Sequence, residues 1–173
     1  MRTLGSRTRP AFAAHLLRGG NRRAHRDGAR AAGGRAAALL RAGGHTVVTT
    51  RREGGDLAME LPRDAGRFRE LGGSDWRVLW SAPAVEGIEE LRGVAARVVY
   101  LSTTGVYGDV HVVDESTPAA PVTERTRLRY EAEQVVMAGP WAGCVLRPAA
   151  IYGPGRGAHE SFCILVAAEK GPT

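Results

Sequence analysis

Apolar positions along the chain fall into short blocks, separated by polar, glycine-rich or proline-rich stretches, and the blocks alternate in kind. His45-Thr-Val-Val-Thr-Thr50, Arg77-Val-Leu-Trp-Ser81, Ala96-Arg-Val-Val-Tyr-Leu-Ser102 and Gly143-Cys-Val-Leu-Arg147 are of strand length and rich in β-branched and apolar residues. The third is strongly apolar, which predicts a central place in a parallel sheet with both faces covered. Between these runs, Ala31 to Arg41 is rich in Ala and Leu and stops at Gly43-Gly44, the pattern of a short helix. Ala65–Leu71 and Val85–Leu91 predict shorter helical pieces. Asp114, Pro118 and Pro121 mark a turn-rich region. Thr123 to Ala138 reads as a helix with Leu128, Ala132, Val135 and Val136 on one face, ended by Gly139-Pro140. Strands that alternate with helices imply βαβ units and right-handed crossovers. The expected fold class is therefore α/β, a doubly wound parallel sheet of Rossmann-like type.

Residues 1–27 break the pattern. They hold seven arginines and one acid, with no sustained period of 2 or 3.6. Such a segment buries too little apolar surface to offset its ordering entropy, so a disordered basic extension is expected. A transit peptide or a nucleic-acid-binding arm is the functional alternative. From residue 28 onward the chain carries the alternating pattern.

The charge follows the same division. The net charge of +6 resides wholly in the first 27 residues, and the remainder carries 17 bases against 17 acids. The body is thus not a basic protein, and no specific nucleic-acid partner is expected. No run of about 18 apolar residues is present, so no membrane span is expected. Cys144 and Cys163 are too few and too scattered for a disulfide framework, which makes a reducing, cytoplasmic setting the default. His15, His25, His45, His111 and His159 show no metal-ligand spacing, and no metal site is expected. Trp76 and Trp80 flank a strand and are expected to pack.

Two stretches bear on a nucleotide ligand. Gly28-Ala-Arg-Ala-Ala-Gly33 stands where a dinucleotide fingerprint would stand, and its first and last glycines match G-x-G-x-x-G. The middle position, where glycine lets the backbone approach the pyrophosphate, is Arg30. An Ala/Gly-rich helix start without a ligand is the plainer reading. Next, the run from His45 ends in Arg51-Arg52. An acid at that strand end would hold a ribose 2′-hydroxyl, whereas arginine accommodates a 2′-phosphate. Arg51 and Arg52 therefore favour NADP over NAD, against the alternative of two solvated loop arginines.

The most informative run is Val98-Val-Tyr-Leu-Ser-Thr-Thr-Gly-Val-Tyr-Gly-Asp109, followed by Asp114-Glu115 and Thr117-Pro118. It continues through Arg129-Tyr-Glu-Ala-Glu133 to Val145-Leu-Arg-Pro-Ala-Ala-Ile-Tyr-Gly-Pro-Gly-Arg156. In order and spacing this resembles the extended, atypical short-chain dehydrogenases/reductases of the NAD(P)-dependent epimerase/dehydratase kind. The resemblance covers about residues 28 to 157, and it implies that residues 28–157 form an NAD(P)-binding Rossmann-like domain whose first strand is degraded or missing, with residues 158–173 the start of a truncated substrate-binding region. It implies an NAD(P) cofactor, a small-molecule substrate such as a nucleotide sugar, and epimerase, dehydratase or oxidoreductase chemistry.

The resemblance also implies a set of site residues. Thr103, with Ser102 beside it, matches the family's catalytic hydroxyl, with strand-end capping as the plainer role. The family's tyrosine exchanges a proton with the substrate, and a lysine four residues on lowers its pKa from about 10. Aligned on Ala132-Glu133, those two positions hold Arg125 and Arg129. Tyr130 is the nearest phenol, one residue off register. Arg129 retains a cation for the cofactor ribose, but a guanidinium stays charged at any useful pH and serves poorly in a proton relay. Pro148 to Arg156 matches the loop that closes over the nicotinamide, with Pro148 shaping the backbone and Tyr152-Gly153 near the pyrophosphate. Cofactor binding is thus expected more than hydride transfer. A non-catalytic dinucleotide-binding sensor or scaffold, or a non-functional gene fragment, is the alternative.

Overall fold

A computed structural model describes residues 12–15, 27–52, 55–82, 85–149 and 151, with only the backbone considered at 12–15 and 27–31. The described residues form one six-stranded sheet, every pairing parallel, in the order β3-β2-β1-β4-β5-β6. The strands are β1 (Phe12–His15), β2 (Val47–Arg51), β3 (Leu57–Ala58), β4 (Trp76–Trp80), β5 (Ala95–Leu101) and β6 (Ala142–Leu146). Two α-helices accompany them, α1 (Asp27–Ala42) and α2 (Glu124–Ala138). Short 3-10 segments occupy Ala65–Leu71, Glu89–Leu91 and Thr104–Tyr107. The order 3-2-1-4-5-6 is that of the doubly wound dinucleotide-binding sheet, with the reversal between β1 and β4.

β1 corrects the expectation that the first strand is missing and that residues 1–27 are unstructured throughout. Phe12–His15 lies at the middle of the sheet, with Phe12 to His15 paired to Val47 to Thr50 on one side and to Arg77 to Trp80 on the other. Four residues with two alanines carry no strand signature of their own. Their extended state comes from two neighbours that together supply both rows of backbone hydrogen bonds. Residues 1–11 and 16–26 lie outside the described residues, as do residues 158–173.

The fingerprint assignment also shifts. α1 starts at Asp27, so Gly28 stands in its first turn and Gly33 lies inside the helix. Neither glycine forms the strand-to-helix turn that a phosphate cradle needs. The connection from β1 to α1, residues 16–26, lies outside the described residues.

β4 alternates as a half-buried strand does, with Trp76, Val78 and Trp80 buried and Arg77 exposed. Trp80 packs against Phe68 at 5.8 Å between ring centroids, and Ile88, Leu91 and Val98 complete the centre of the core. The short helical pieces expected at 65–71 and 85–91 are 3-10 turns over this core. The chain then returns from β5 to the sheet through α2. A reciprocal cap opens that helix, in which Thr123 Oγ1 accepts from the Thr126 amide (3.2 Å) and Thr126 Oγ1 accepts from the Thr123 amide (3.1 Å).

The buried stripe of α2 is Arg129, Ala132, Glu133 and Val136, an i, i+3, i+4, i+7 set. Leu128, expected on the core face, is 39% exposed. Ala132 and Val136 are buried as expected, and Arg129 and Glu133 rather than Leu128 complete the inward face.

β3 was not foreseen, and a carboxylate holds it in place. Asp56 accepts from the Thr49 amide (2.7 Å), the Thr49 hydroxyl (2.7 Å) and Arg41 (2.5 Å), which also donates to Val47 O. Gly55 permits the close return: a Cβ there would lie 2.8 Å from Thr49 O and 2.9 Å from the Arg51 amide nitrogen. The Thr49 hydrogen bonds, with Arg41 adding to them, hold the Asp56 carboxyl below the usual carboxylate range. A lowered folded pKa means stability that is full above the unfolded value near 3.9 and is lost as pH falls through the folded one. Asp56→Asn should therefore cost about 1 kcal/mol at pH 7, the half-exposed site being screened. Urea midpoints at pH 7 and pH 2 check this, and a wild-type advantage equally large at both pH values would refute it.

Candidate functional site

The polar side chains of the sheet gather where the strands end. β2 finishes in the buried threonines Thr49 and Thr50 and then Arg51, β4 is followed by the buried Ser81, and β5 by Ser102 and Thr103. β6 leads into Arg147 and Pro148. Such an edge, outside the carboxyl ends of a doubly wound sheet, is where ligands bind in this architecture.

Ser102, Thr103, Arg129 and Pro148 come together at the ends of β5 and β6. The Ser102 amide donates to Leu146 O (2.8 Å) and the Thr104 amide to Pro148 O (3.3 Å), which joins the two strand ends. Thr103 Oγ1 accepts from the Gly105 amide (3.2 Å) and so caps the 3-10 turn Thr104–Tyr107, while its O–H remains able to donate. Ser102 is 5% exposed, and its hydroxyl donates to Glu133 Oε1 at 2.5 Å. Thr103 is thus the more open of the two hydroxyls.

Arg129 crosses from α2 to the same edge, where Nη1 donates to Leu101 O (3.2 Å). Its Nε and the Tyr100 hydroxyl are both buried without a hydrogen-bond partner. Burial pushes the Tyr100 phenol above its usual pKa, although the neighbouring Arg129 opposes this. Arg125, at the family's tyrosine position, is exposed, and Tyr130 is half-buried.

Glu133, Arg147 and Tyr107 were not singled out from the sequence, yet they form the densest part of the cluster. Glu133 is 1% exposed. Arg147 Nε donates to both of its oxygens (3.1 and 3.2 Å), and Nη2 donates to Oε2 (2.6 Å). The Arg147 guanidinium also lies over the Tyr107 ring, 4.8 Å from its centroid. The Glu133 hydrogen bonds raise the Arg147 pKa further above its already high value. The available signal was a charged residue on the apolar stripe of α2, four residues after Arg129, which a buried helix face tolerates only with a partner.

Arg51 and Arg52 stand apart from this cluster. Three strand spacings separate the end of β2 from that of β5, roughly 14 Å. Arg52 is paired with Glu60 and exposed. Arg51 is half-buried, its Nε is buried with no hydrogen-bond partner, and its Nη2 lies 4.0 Å from where a Cβ on Gly34 of α1 would stand. Tyr152 lies outside the described residues. Among those residues no group of three His, Cys, Asp or Glu side chains is placed to hold a metal, and no helix is long and apolar enough to cross a membrane.

Comparison with known proteins agrees with this topology. WbmG of Bordetella bronchiseptica, solved in complex with NAD, superposes with a TM-score of 0.69 at 17% identity, over 96% of this chain and 62% of that one. A provisionally assigned NAD-dependent epimerase/dehydratase from Methylobacillus flagellatus gives 0.65 at 23% identity, over 94% and 62%. MoeE5, solved with UDP-glucose and NAD, gives 0.63 at 19% identity, over 91% and 60%. The fold is that of the NAD-dependent epimerase/dehydratase structures. The chain spans about three fifths of the length of these proteins. No family model and no curated protein matches it.

Removing one partner of a buried ion pair strands the other. Glu133→Ala should therefore lower unfolding free energy by about 3 kcal/mol, the low end for such pairs because Arg147 keeps partial access to water. Equilibrium urea denaturation measures the loss, and a change below about 1 kcal/mol would show that the pair is not coupled to folding.

Proposed function

We propose that this chain is the dinucleotide-binding part of an NAD(P)-dependent protein of the epimerase/dehydratase or reductase type, acting on a nucleotide sugar or related alcohol. One observation carries the reading: a 3-2-1-4-5-6 parallel sheet with hydroxyls, a buried arginine and the Pro148 turn collected at its carboxyl edge.

The residues present fit such a cofactor, with a preference for NADP. Arg51 ends the strand beside β1 and keeps a buried N–H unused. Among the described residues, Asp56 spends its carboxylate on Thr49 and Arg41 and so is not offered to a ribose hydroxyl. A guanidinium at that strand end suits a 2′-phosphate better than a bare 2′-hydroxyl. Arg52, tied to Glu60, contributes less. At the other end Arg129 supplies a permanent positive charge beside β5 for the nicotinamide ribose, and Thr103 offers an O–H toward a substrate oxygen. The dinucleotide would supply the hydride chemistry. Gly28 and Gly33, inside α1, are dropped from the cradle.

A second reading, a dinucleotide-binding sensor or scaffold without turnover, draws on one observation. At the Tyr and Lys positions stand an exposed Arg125 and a buried Arg129, and neither is a general acid near neutral pH.

Titration with NADPH and NADH, followed by cofactor fluorescence and thermal shift, tests the binding. Saturable stabilisation is expected, with NADPH preferred. Arg51→Ala should weaken NADPH by about tenfold or more while leaving NADH nearly unchanged, the loss expected for one charge-assisted contact. Absence of any shift with either nucleotide rejects the proposal. Where turnover is found, Thr103→Ala should lower kcat by a factor on the order of 100; undiminished activity would remove Thr103 from the mechanism.

A further inference from the structure

We infer that Glu133 and Arg147 are positioning residues, a lock that holds the Pro148 turn and the Ser102–Thr103 strand end in fixed register at the cofactor edge. The link to the cofactor rests on the reading above, but the lock itself does not.

Four chain segments meet at this pair. Glu133 belongs to α2, and Arg147 is the first residue after β6, directly ahead of Pro148. Ser102 follows β5 and donates to the carboxylate, while Tyr107 closes the 3-10 turn under the guanidinium. The Tyr107 hydroxyl in turn donates to Asp114 O (3.3 Å), which carries the tie into the following loop. Past the β5–β6 ladder, two backbone bonds among the described residues join the strand ends, Ser102 N–H to Leu146 O and Thr104 N–H to Pro148 O, and the second is long at 3.3 Å. Among the described residues the Pro148 carbonyl itself is thus tied to β5's end by one long backbone bond. The side-chain pair supplies the rest of the restraint.

A chemical role for the same atoms is the obvious competitor, since a serine 2.5 Å from a carboxylate has the outline of a nucleophile and its base. Two facts oppose it. Both Glu133 oxygens already accept from the Arg147 guanidinium. Ser102 is 5% exposed and Glu133 1%, so a substrate atom has no approach. Pure stability is the other competitor. A buried ion pair seldom stabilises a fold more than apolar residues of similar volume would. What it provides, and apolar packing does not, is direction: a planar fork on a carboxylate fixes both partners in angle as well as distance.

Arg147→Lys keeps the charge and loses the fork, which makes it the discriminating variant. Ser102→Ala, which removes one bond and no charge, serves if the first does not fold. Amide exchange at Thr104 and Ser102, thermal unfolding and NADPH affinity would be measured on the full chain for each. A lock predicts exchange at Thr104 faster by about tenfold, beyond any change in the core strand β4, together with NADPH binding weaker by about tenfold. Uniformly faster exchange that follows the loss of global stability, with affinity unchanged, overturns the inference and leaves a structural ion pair. If the wild-type protein binds no NADPH, the cofactor reading fails, while local exchange at Thr104 still decides for or against the lock.

Discussion

Because every described strand runs the same way, each connection must return across a face of the sheet, and every strand finishes on one edge. That constraint separates the chain into two environments. Along the faces, backbone groups are satisfied by their neighbours, so the side chains there are free to be apolar, as Trp80, Val98 and Ile88 are. At the carboxyl edge the ladder stops. Polar side chains take over: Ser102 bonds Glu133, Arg129 bonds Leu101 O, Thr103 caps the turn at Gly105 and Thr49 bonds Asp56. The chemistry of the molecule is concentrated where parallel pairing leaves backbone groups unfinished.

The Glu133–Arg147 pair shows how far this goes. Placing a carboxylate at 1% exposure costs several kcal/mol in desolvation unless its lone pairs are filled. Here they are filled by a guanidinium from the end of β6 and a hydroxyl from the end of β5. Its lone pairs stay filled only while both strand ends stay in place. Conversely, the strand ends cannot drift apart without exposing a charge to an apolar surrounding. The pair thereby couples the docking of α2 to the register of β5 and β6, and this coupling also explains why α2 turns Arg129 and Glu133 inward while Leu128 faces out.

Much of the fold was legible because its signals are local. Strands β2, β4, β5 and β6 lie within one or two residues of the apolar runs at 45–50, 77–81, 96–102 and 143–147, and α2 begins one residue inside the expected helix. β1 was not legible, since a strand hydrogen-bonded on both sides needs no propensity of its own, and Phe-Ala-Ala-His has little. Misplacing β1 displaced the glycine fingerprint too: Gly28 and Gly33 were assigned to a turn, yet both stand inside α1. The hydroxyls and the cation of the candidate site were readable from the V-Y-G and A-E motifs. Their partners were not, because a charged residue on a helix reads as solvent-facing until a second charge, fourteen residues away, is known to meet it.

The electrostatics of the edge then follow from which charges are already spent. Asp56 is consumed by Thr49 and Arg41, Glu60 by Arg52, and Glu133 by Arg147. Arg51 and Arg129 differ: each keeps a buried Nε without a partner. The strand ends they lie by, those of β2 and β5, are roughly 14 Å apart along the edge. A guanidinium donor without an acceptor is costly in a half-buried site, and an anionic ligand relieves that cost on binding. On the proposed reading, two such donors by strand ends at that separation match a ligand with phosphate at one end and a polar ribose at the other. The same arithmetic opposes a cationic ligand, which would meet two arginines and no unspent carboxylate among those named.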